Sequence, residues 1–174
     1  MKNKLSVKDM AYIALMAVVI TLCSWISVPS AVPFTMQTFA IFCALLMLGG
    51  KRGTLAVALY ILLGAFGLPV FSGFKGGVGA LLGPTGGYIL GFLLCALIYL
   101  VFEGKVKDLI LLILGNLVCY LFGTIWFVYV YSSGGKAISF GAALMLCVVP
   151  YLIPDAIKLL LAFVVSKRVK SLIP

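Results

Sequence analysis

The chain has 174 residues, of which 64% are hydrophobic and 10% charged, with a mean hydropathy of +1.28. A soluble domain carries about a quarter charged residues, so this balance excludes a water-soluble enzyme and describes an all-α integral membrane protein. The formal charge of +9 does not indicate nucleic acid, because the basic residues gather at the ends of apolar runs, where positive-inside topology and anionic headgroups require them.

The length accommodates a single transmembrane domain, residues 1–174, of about five or six helices, with no soluble catalytic domain beside it. Histidine is absent, which removes the commonest general base and metal ligand. Cys23, Cys43, Cys95, Cys119 and Cys147 all lie in apolar runs without a C-x-x-C pair and read as small buried hydrophobes.

Lys2, Lys4 and Lys8 precede an apolar run from Met10 to about Val28. A basic start before an apolar stretch also fits a signal peptide, but the run is long enough to span and no small-x-small cleavage site follows, so it is predicted helix 1. Ala11, Ala14 and Ala17 form a small-residue strip along it, suited to close helix approach. Pro29 and Pro33 break the chain, and Pro33 suits the first turn of predicted helix 2, about Phe34 to Leu48. The opening of that helix sets Thr35, Gln37 and Thr38 near a membrane interface. Gly49-Gly50-Lys51-Arg52-Gly53 is a tight basic turn, and predicted helix 3 follows from about Thr54 to Leu68.

Residues 70–87 break the pattern, with seven glycines among eighteen residues. The stretch is too apolar for a solvated linker and too rich in glycine for a helix. It contains neither G-x-x-x-x-G-K-[ST] nor a complete G-x-G-x-x-G. Irregular backbone at a membrane is tolerated where protein covers it or where it lines a cavity, so a lid or cavity wall is expected here. Predicted helix 4 spans about Tyr88 to Phe102, and a charged turn through Asp108 leads to predicted helix 5, about Leu109 to Tyr131, with an aromatic end. The last apolar region, about Ala137 to Val165, exceeds the ~20 residues needed to span. Pro150 and Pro154 divide it into a short segment and predicted helix 6, which starts near Pro154 and ends at Lys167-Arg168.

With six helices and a cytoplasmic N-terminus, ten basic residues fall inside and two, Lys75 and Lys136, outside; Lys158 lies within the membrane. The opposite orientation inverts this bias. Both termini are therefore expected in the cytoplasm. The head of predicted helix 2, the glycine-rich loop and the Pro154-Asp155 end of predicted helix 6 then meet on the external half.

Asp155 and Lys158 are the ionisable residues inside an apolar segment, where each charge costs about 2.5–3.5 kcal/mol on insertion scales. Positions i and i+3 share a helix face, and a helix starting at Pro154 sets Asp155 at the positive end of its dipole. Three readings are open: an internal ion pair that neutralises itself, a proton relay, or a polar site in an apolar pocket. The relay lacks further acids or histidines along a membrane path. As a site, Asp155 offers acceptors and Lys158 donors, which match a neutral cyclic urea or amide. No Ser/His/Asp set, Cys/His pair, paired carboxylates or nucleotide motif is present, so the chain does not read as an enzyme, and any ATP-driven step must come from partner chains.

The runs Val32-Pro33-Phe34-Thr35-Met36-Gln37-Thr38 and Gly76-Gly77-Val78-Gly79 through Gly83-Pro84-Thr85-Gly86-Gly87-Tyr88 resemble the BioY family, as do Tyr120-x-x-Gly123-x-x-Trp126 and Pro154-Asp155-x-x-Lys158. These proteins are the biotin-specific S components of energy-coupling factor (ECF) transporters, and the resemblance runs in order over nearly the whole chain. It implies a six-helix protein of a prokaryotic plasma membrane that binds biotin near the outer face. It implies as partners a transmembrane coupling protein and two ATP-hydrolysing subunits, with membrane lipid around them, no nucleic acid and no cofactor in this chain. It also implies that Asp155 and Lys158 contact biotin's ureido ring and that the loop from about Gly73 to Gly87 covers the site. Gln37, Gly77, Gly86 and Tyr88, from the matching runs, join them as substrate-binding candidates. Lys75, external and in the loop, is the electrostatic candidate for biotin's carboxylate. The competing reading is a self-sufficient, ion-coupled secondary transporter of a small cyclic amide or urea, with Asp155–Lys158 as the coupling element.

Overall fold

The computed structural model describes residues 5–135 and 137–170, so the expectations placed on Lys2, Lys4 and Lys136 lie outside the described residues. In chain order the elements are α1 (Val7–Trp25), a two-stranded ladder of β1 (Ser27–Val28) and β2 (Phe34–Thr35), α2 (Gln37–Ala65), α3 (Val78–Leu82), α4 (Gly86–Phe102), α5 (Asp108–Ser133), α6 (Phe140–Cys147) and α7 (Val149–Lys170). By length and apolar composition α1, α5 and α7 can each cross a membrane, α4 is a shorter apolar helix, and the 29 residues of α2 have that length only taken across a bend at Gly49. The protein is mostly helical and multi-pass.

Helix α1 starts three residues before the expected Met10 because Ser6 and Asp9 form a capping box. Asp9 N–H donates to Ser6 Oγ at 3.1 Å and Ser6 N–H to Asp9 Oδ2 at 3.0 Å, satisfying donors that a helix start leaves open. It ends at Trp25, before the expected Val28, because Ser27 and Val28 pair antiparallel with Thr35 and Phe34.

The turn expected over residues 49–53 contracts to one residue. Gly49 adopts φ +78°, ψ 172° inside α2, a conformation open to glycine. A straight helix would hold residues 37 and 60 about 35 Å apart at 1.5 Å per residue, yet Gln37 Nε2 donates to Tyr60 Oη at 2.6 Å. Residues 37–48 and 50–65 are therefore antiparallel arms of a hairpin, corresponding to predicted helices 2 and 3. At Gly53 a side chain would stand 2.9 Å from the Ala44 carbonyl oxygen, so the arms touch there. Glu103 closes the same end, accepting the Gly50 N–H at 2.9 Å, an open donor at the start of the second arm.

The glycine-rich stretch, expected to hold no helix, contains the one-turn α3 (Val78–Leu82) between Gly77 and Gly83, and it is tied to the hairpin by backbone bonds. Gly77 N–H donates to Gly64 O at 2.7 Å, and Phe71 N–H to Lys75 O at 2.9 Å. The Phe71 ring meets Tyr60 edge-on at 5.5 Å. Trp25 Nε1 donates to Pro69 O at 2.9 Å, and its ring lies 4.9 Å from that of Phe74. Helices α4 and α5 interlock closely, Cys119 seated over Gly91, Cys95 over Gly115 and Tyr88 over Gly123, the small-residue packing that brings helices together in a membrane.

The beginning of α7 corrects the sequence expectation. The helix begins at Val149, with Pro154 inside it and no acidic residue in its first turn. Pro150 takes the first-turn place, where a missing N–H costs nothing, and Pro154 forfeits one bond, to the carbonyl four residues back. Asp155 thus lies in the second turn, away from the dipole end, and side-chain donors rather than the dipole must hold its charge.

Candidate functional site

Asp155 and Lys158 are 6% and 4% exposed, on one face of α7. Lys158 Nζ lies 2.7 Å from Asp155 Oδ1, so the two do bond to each other. Lys158 Nζ also donates to the backbone carbonyl of Thr35 at 2.6 Å and sits 4.0 Å over the Phe34 ring, a cation–π contact. On the aspartate, Oδ1 also accepts from Thr38 Oγ1 at 3.0 Å, and Oδ2 accepts a short hydrogen bond from the Tyr120 hydroxyl. One carboxylate thereby joins α2, α5 and α7. Burial of an ion pair is tolerated when further hydrogen bonds satisfy both groups, and here they do.

The pair opens onto a cavity of about 540 Å³, within the range of small-molecule sites. Its wall comes from the loop after α1, the head of α2, residues 71–85, and inward faces of α4, α5 and α7. Five of the seven expected residues line it: Gln37, Lys75, Tyr88, Asp155 and Lys158. Lys75 stands exposed on the loop. The Tyr88 hydroxyl is 3.0 Å from Thr124 Oγ1, so this residue presents its ring. Gly77 and Gly86 are not on the wall. Gly77 has φ +85° as it leads into α3, and a side chain at Gly86 would stand 1.7 Å from the Leu81 carbonyl oxygen. These two glycines shape the loop.

Gln37 is fixed from both sides: its Oε1 accepts from Thr35 Oγ1 at 3.0 Å while its Nε2 reaches Tyr60. The Tyr60 hydroxyl adjoins Ser24, whose Oγ bonds the Val70 carbonyl. A buried polar chain thus runs from Lys158 through Thr35, Gln37, Tyr60 and Ser24 to the glycine-rich segment. At the opposite wall Tyr151 donates to the Val32 carbonyl and lies 2.8 Å from Ser30 Oγ, tying the loop after α1 to α7.

Thr38, Tyr120 and Phe34 contact the buried pair, though the sequence reading quoted them only within its runs and did not name them as binding candidates. Tyr120 and Thr38 carried a signal, a hydroxyl in an otherwise apolar segment within a recurring run. Phe34 shares Thr38's run, but an aromatic beside a proline reads as packing rather than as a cation's partner. Chemically, the arrangement juxtaposes a buried acceptor and a buried cation. It suits recognition of a neutral polar group; among the described residues no three His, Cys, Asp or Glu side chains converge to hold a metal.

The BioY family model matches residues 1–174. The probable biotin transporter BioY of Pyrococcus horikoshii is 38% identical over 165 residues, covering 94% of this chain and 97% of its own. The biotin transporter BioY of Thermotoga maritima is 41% identical over 154 residues, covering 86% and 88%. The 2.1 Å crystal structure of the S-component for biotin from an ECF-type ABC transporter aligns with a TM-score of 0.82 at 29% identity, over 98% of this chain and 95% of that one. Over its whole length, and with a fold to match, the chain belongs to the BioY family.

Proposed function

We propose that this chain is the biotin-binding membrane subunit of an ECF-type uptake system, working with a transmembrane coupling protein and two ATP-hydrolysing subunits. The observation that carries the reading is the buried Asp155–Lys158 pair opening on the 540 Å³ cavity. An acceptor and a cation side by side complement the adjacent N–H and C=O of a ureido ring. Asp155 and Lys158 bind that ring, Gln37 and Tyr88 wall the pocket, and Lys75 meets the carboxylate. Gly77 and Gly86 act through the shape of the loop.

The proposed topology has six spans: α1, the two arms of α2, α4, α5, and α7 preceded by the short α6. Both termini are cytoplasmic and the glycine-rich loop is external. Supporting this, the Asp9–Arg52 ion pair at 2.7 Å and the Glu103–Gly50 bond gather the basic turns at one end. The Trp25–Pro69 bond gathers α1's other end with the loop.

Titration of the detergent-solubilised protein with biotin tests the ligand, with saturable tight binding expected; absence of binding overturns the assignment. Reconstitution tests the energy source. Biotin accumulation by this chain alone in liposomes, on an imposed proton gradient, would refute the capture-subunit reading in favour of an ion-coupled transporter.

A further inference from the structure

We infer that Tyr120 is a specificity-determining residue, which holds Oδ2 of Asp155 as the acceptor for a ligand N–H; this rests on the biotin reading above. A carboxylate offers about four lone-pair sites on its two oxygens. Oδ1 is filled by Lys158 Nζ at 2.7 Å and Thr38 Oγ1 at 3.0 Å. Among the described residues, Oδ2 accepts a hydrogen bond from the Tyr120 hydroxyl alone. Asp155, Lys158, Thr38 and Tyr120 all line the cavity, so the acceptor capacity left for a ligand is on Oδ2, beside the phenol.

The phenol cannot serve as a second donor to a ligand while it holds Asp155. A hydroxyl has one proton, and that proton is on Oδ2, while the phenol oxygen also meets the Asn116 side chain on the cavity wall; the phenol therefore offers a ligand no donor. The acceptor left open at this corner is therefore Oδ2 of Asp155. It admits an N–H and rejects a carbonyl or an alkylated nitrogen, because a buried acceptor left without a donor is penalised. Recognition through a hydrogen-bonded corner discriminates far more strongly than an apolar pocket does. Tyr120 is 8% exposed, so solvent does not readily replace its hydroxyl.

The test pairs a change in the protein with a change in the ligand. Wild type, Tyr120→Phe and Thr38→Val are titrated with biotin, with biotin methylated on the ureido nitrogens, and with biotin methyl ester. Tyr120→Phe keeps the ring and deletes the one hydroxyl. It is expected to weaken biotin at least about tenfold and to weaken the methyl ester by the same factor, because the ester keeps the ureido ring. The N-methylated ligand never used Oδ2, so it weakens much less and the biotin to N-methyl ratio collapses. Thr38→Val removes a donor from the other oxygen, which Lys158 still holds, and leaves that ratio unchanged. An unchanged ratio in Tyr120→Phe overturns the inference, even with weaker binding overall, since that is how a merely structural tie behaves. A ratio collapsed equally in Thr38→Val also overturns it. Failure of wild type to bind biotin at all is a distinct result and removes the ligand reading itself.

Discussion

Removing the two charges of the site one at a time and then together separates a structural ion pair from a binding site. In Lys158→Met, Asp155 keeps Thr38 and Tyr120 as donors but loses its cation, at 6% exposure. In Asp155→Asn, Lys158 keeps the Thr35 carbonyl and the Phe34 face but loses its counter-charge. Breaking a buried pair from one side costs about 3–5 kcal/mol, and the two remaining donors on Asp155 bring Lys158→Met toward the lower figure. The double variant contains no buried charge, so its stability recovers most of the way to wild type. Biotin affinity behaves differently. Each single change is expected to cost at least about 2 kcal/mol, about 30-fold in Kd, and the double change restores none of it, because both ligand-facing groups are gone. Thermal unfolding of the detergent-solubilised protein and biotin titration on the same preparations give the two readouts. A double variant that binds biotin like wild type would refute the site, leaving the pair as a tie between helices. A double variant no more stable than the worse single one would refute the reasoning that uncompensated charge is what each single variant suffers.

Two further perturbations test how the scaffold holds the site. Gly123→Ala places a methyl group 2.2 Å from the Tyr88 ring. Helices α4 and α5 must separate or Tyr88 must enter the cavity, so a loss of about 1–3 kcal/mol in unfolding free energy is expected, together with weaker biotin binding; unchanged values in both assays contradict this packing. Glu103→Ala removes the acceptor for the Gly50 N–H at the far end of the hairpin. It is expected to cost about 0.5–2 kcal/mol and to speed amide exchange at Gly50, with biotin affinity unaltered; a loss of affinity would show that the hairpin end and the site are coupled.

Much of the helical layout was legible because a membrane imposes long apolar runs, and proline, glycine and charge punctuate them. The two arms of α2 and helices α4 and α5 stand close to where those signals put them. The displaced boundaries have local causes. A polar Ser6–Asp9 box extends α1 backward, and the apolar character of residues 149–153 lets α7 begin ahead of Pro154. Proline reads as a start signal, but in the second turn it forfeits a single bond and need not start anything. The glycine-rich stretch was legible as a break between long helices, but neither its short helix α3 nor its packing was, because the Phe71 contact with Gly64 and Tyr60 depends on how the hairpin arms meet.

For the site, the residue types alone determined that Asp155 and Lys158 share a helix face and that two charges in an apolar segment require partners. The runs at residues 32–38, 76–88, 120–126 and 154–158 resembled the BioY family, to which the chain belongs. Which groups became the partners was decided only by the tertiary structure. Thr38 lies 117 positions from Asp155, Tyr120 lies 35 from it, and the Thr35 carbonyl lies 123 from Lys158. No local periodicity relates positions so far apart, and a hydroxyl in an apolar helix looks the same whether it bonds its own backbone or a buried carboxylate. The folding of α2 back on itself at Gly49, and the close crossing of α4 with α5, bring these groups within reach of one another. A buried charge is stable only where such donors converge, which is why the sequence could locate the pair but not its surroundings.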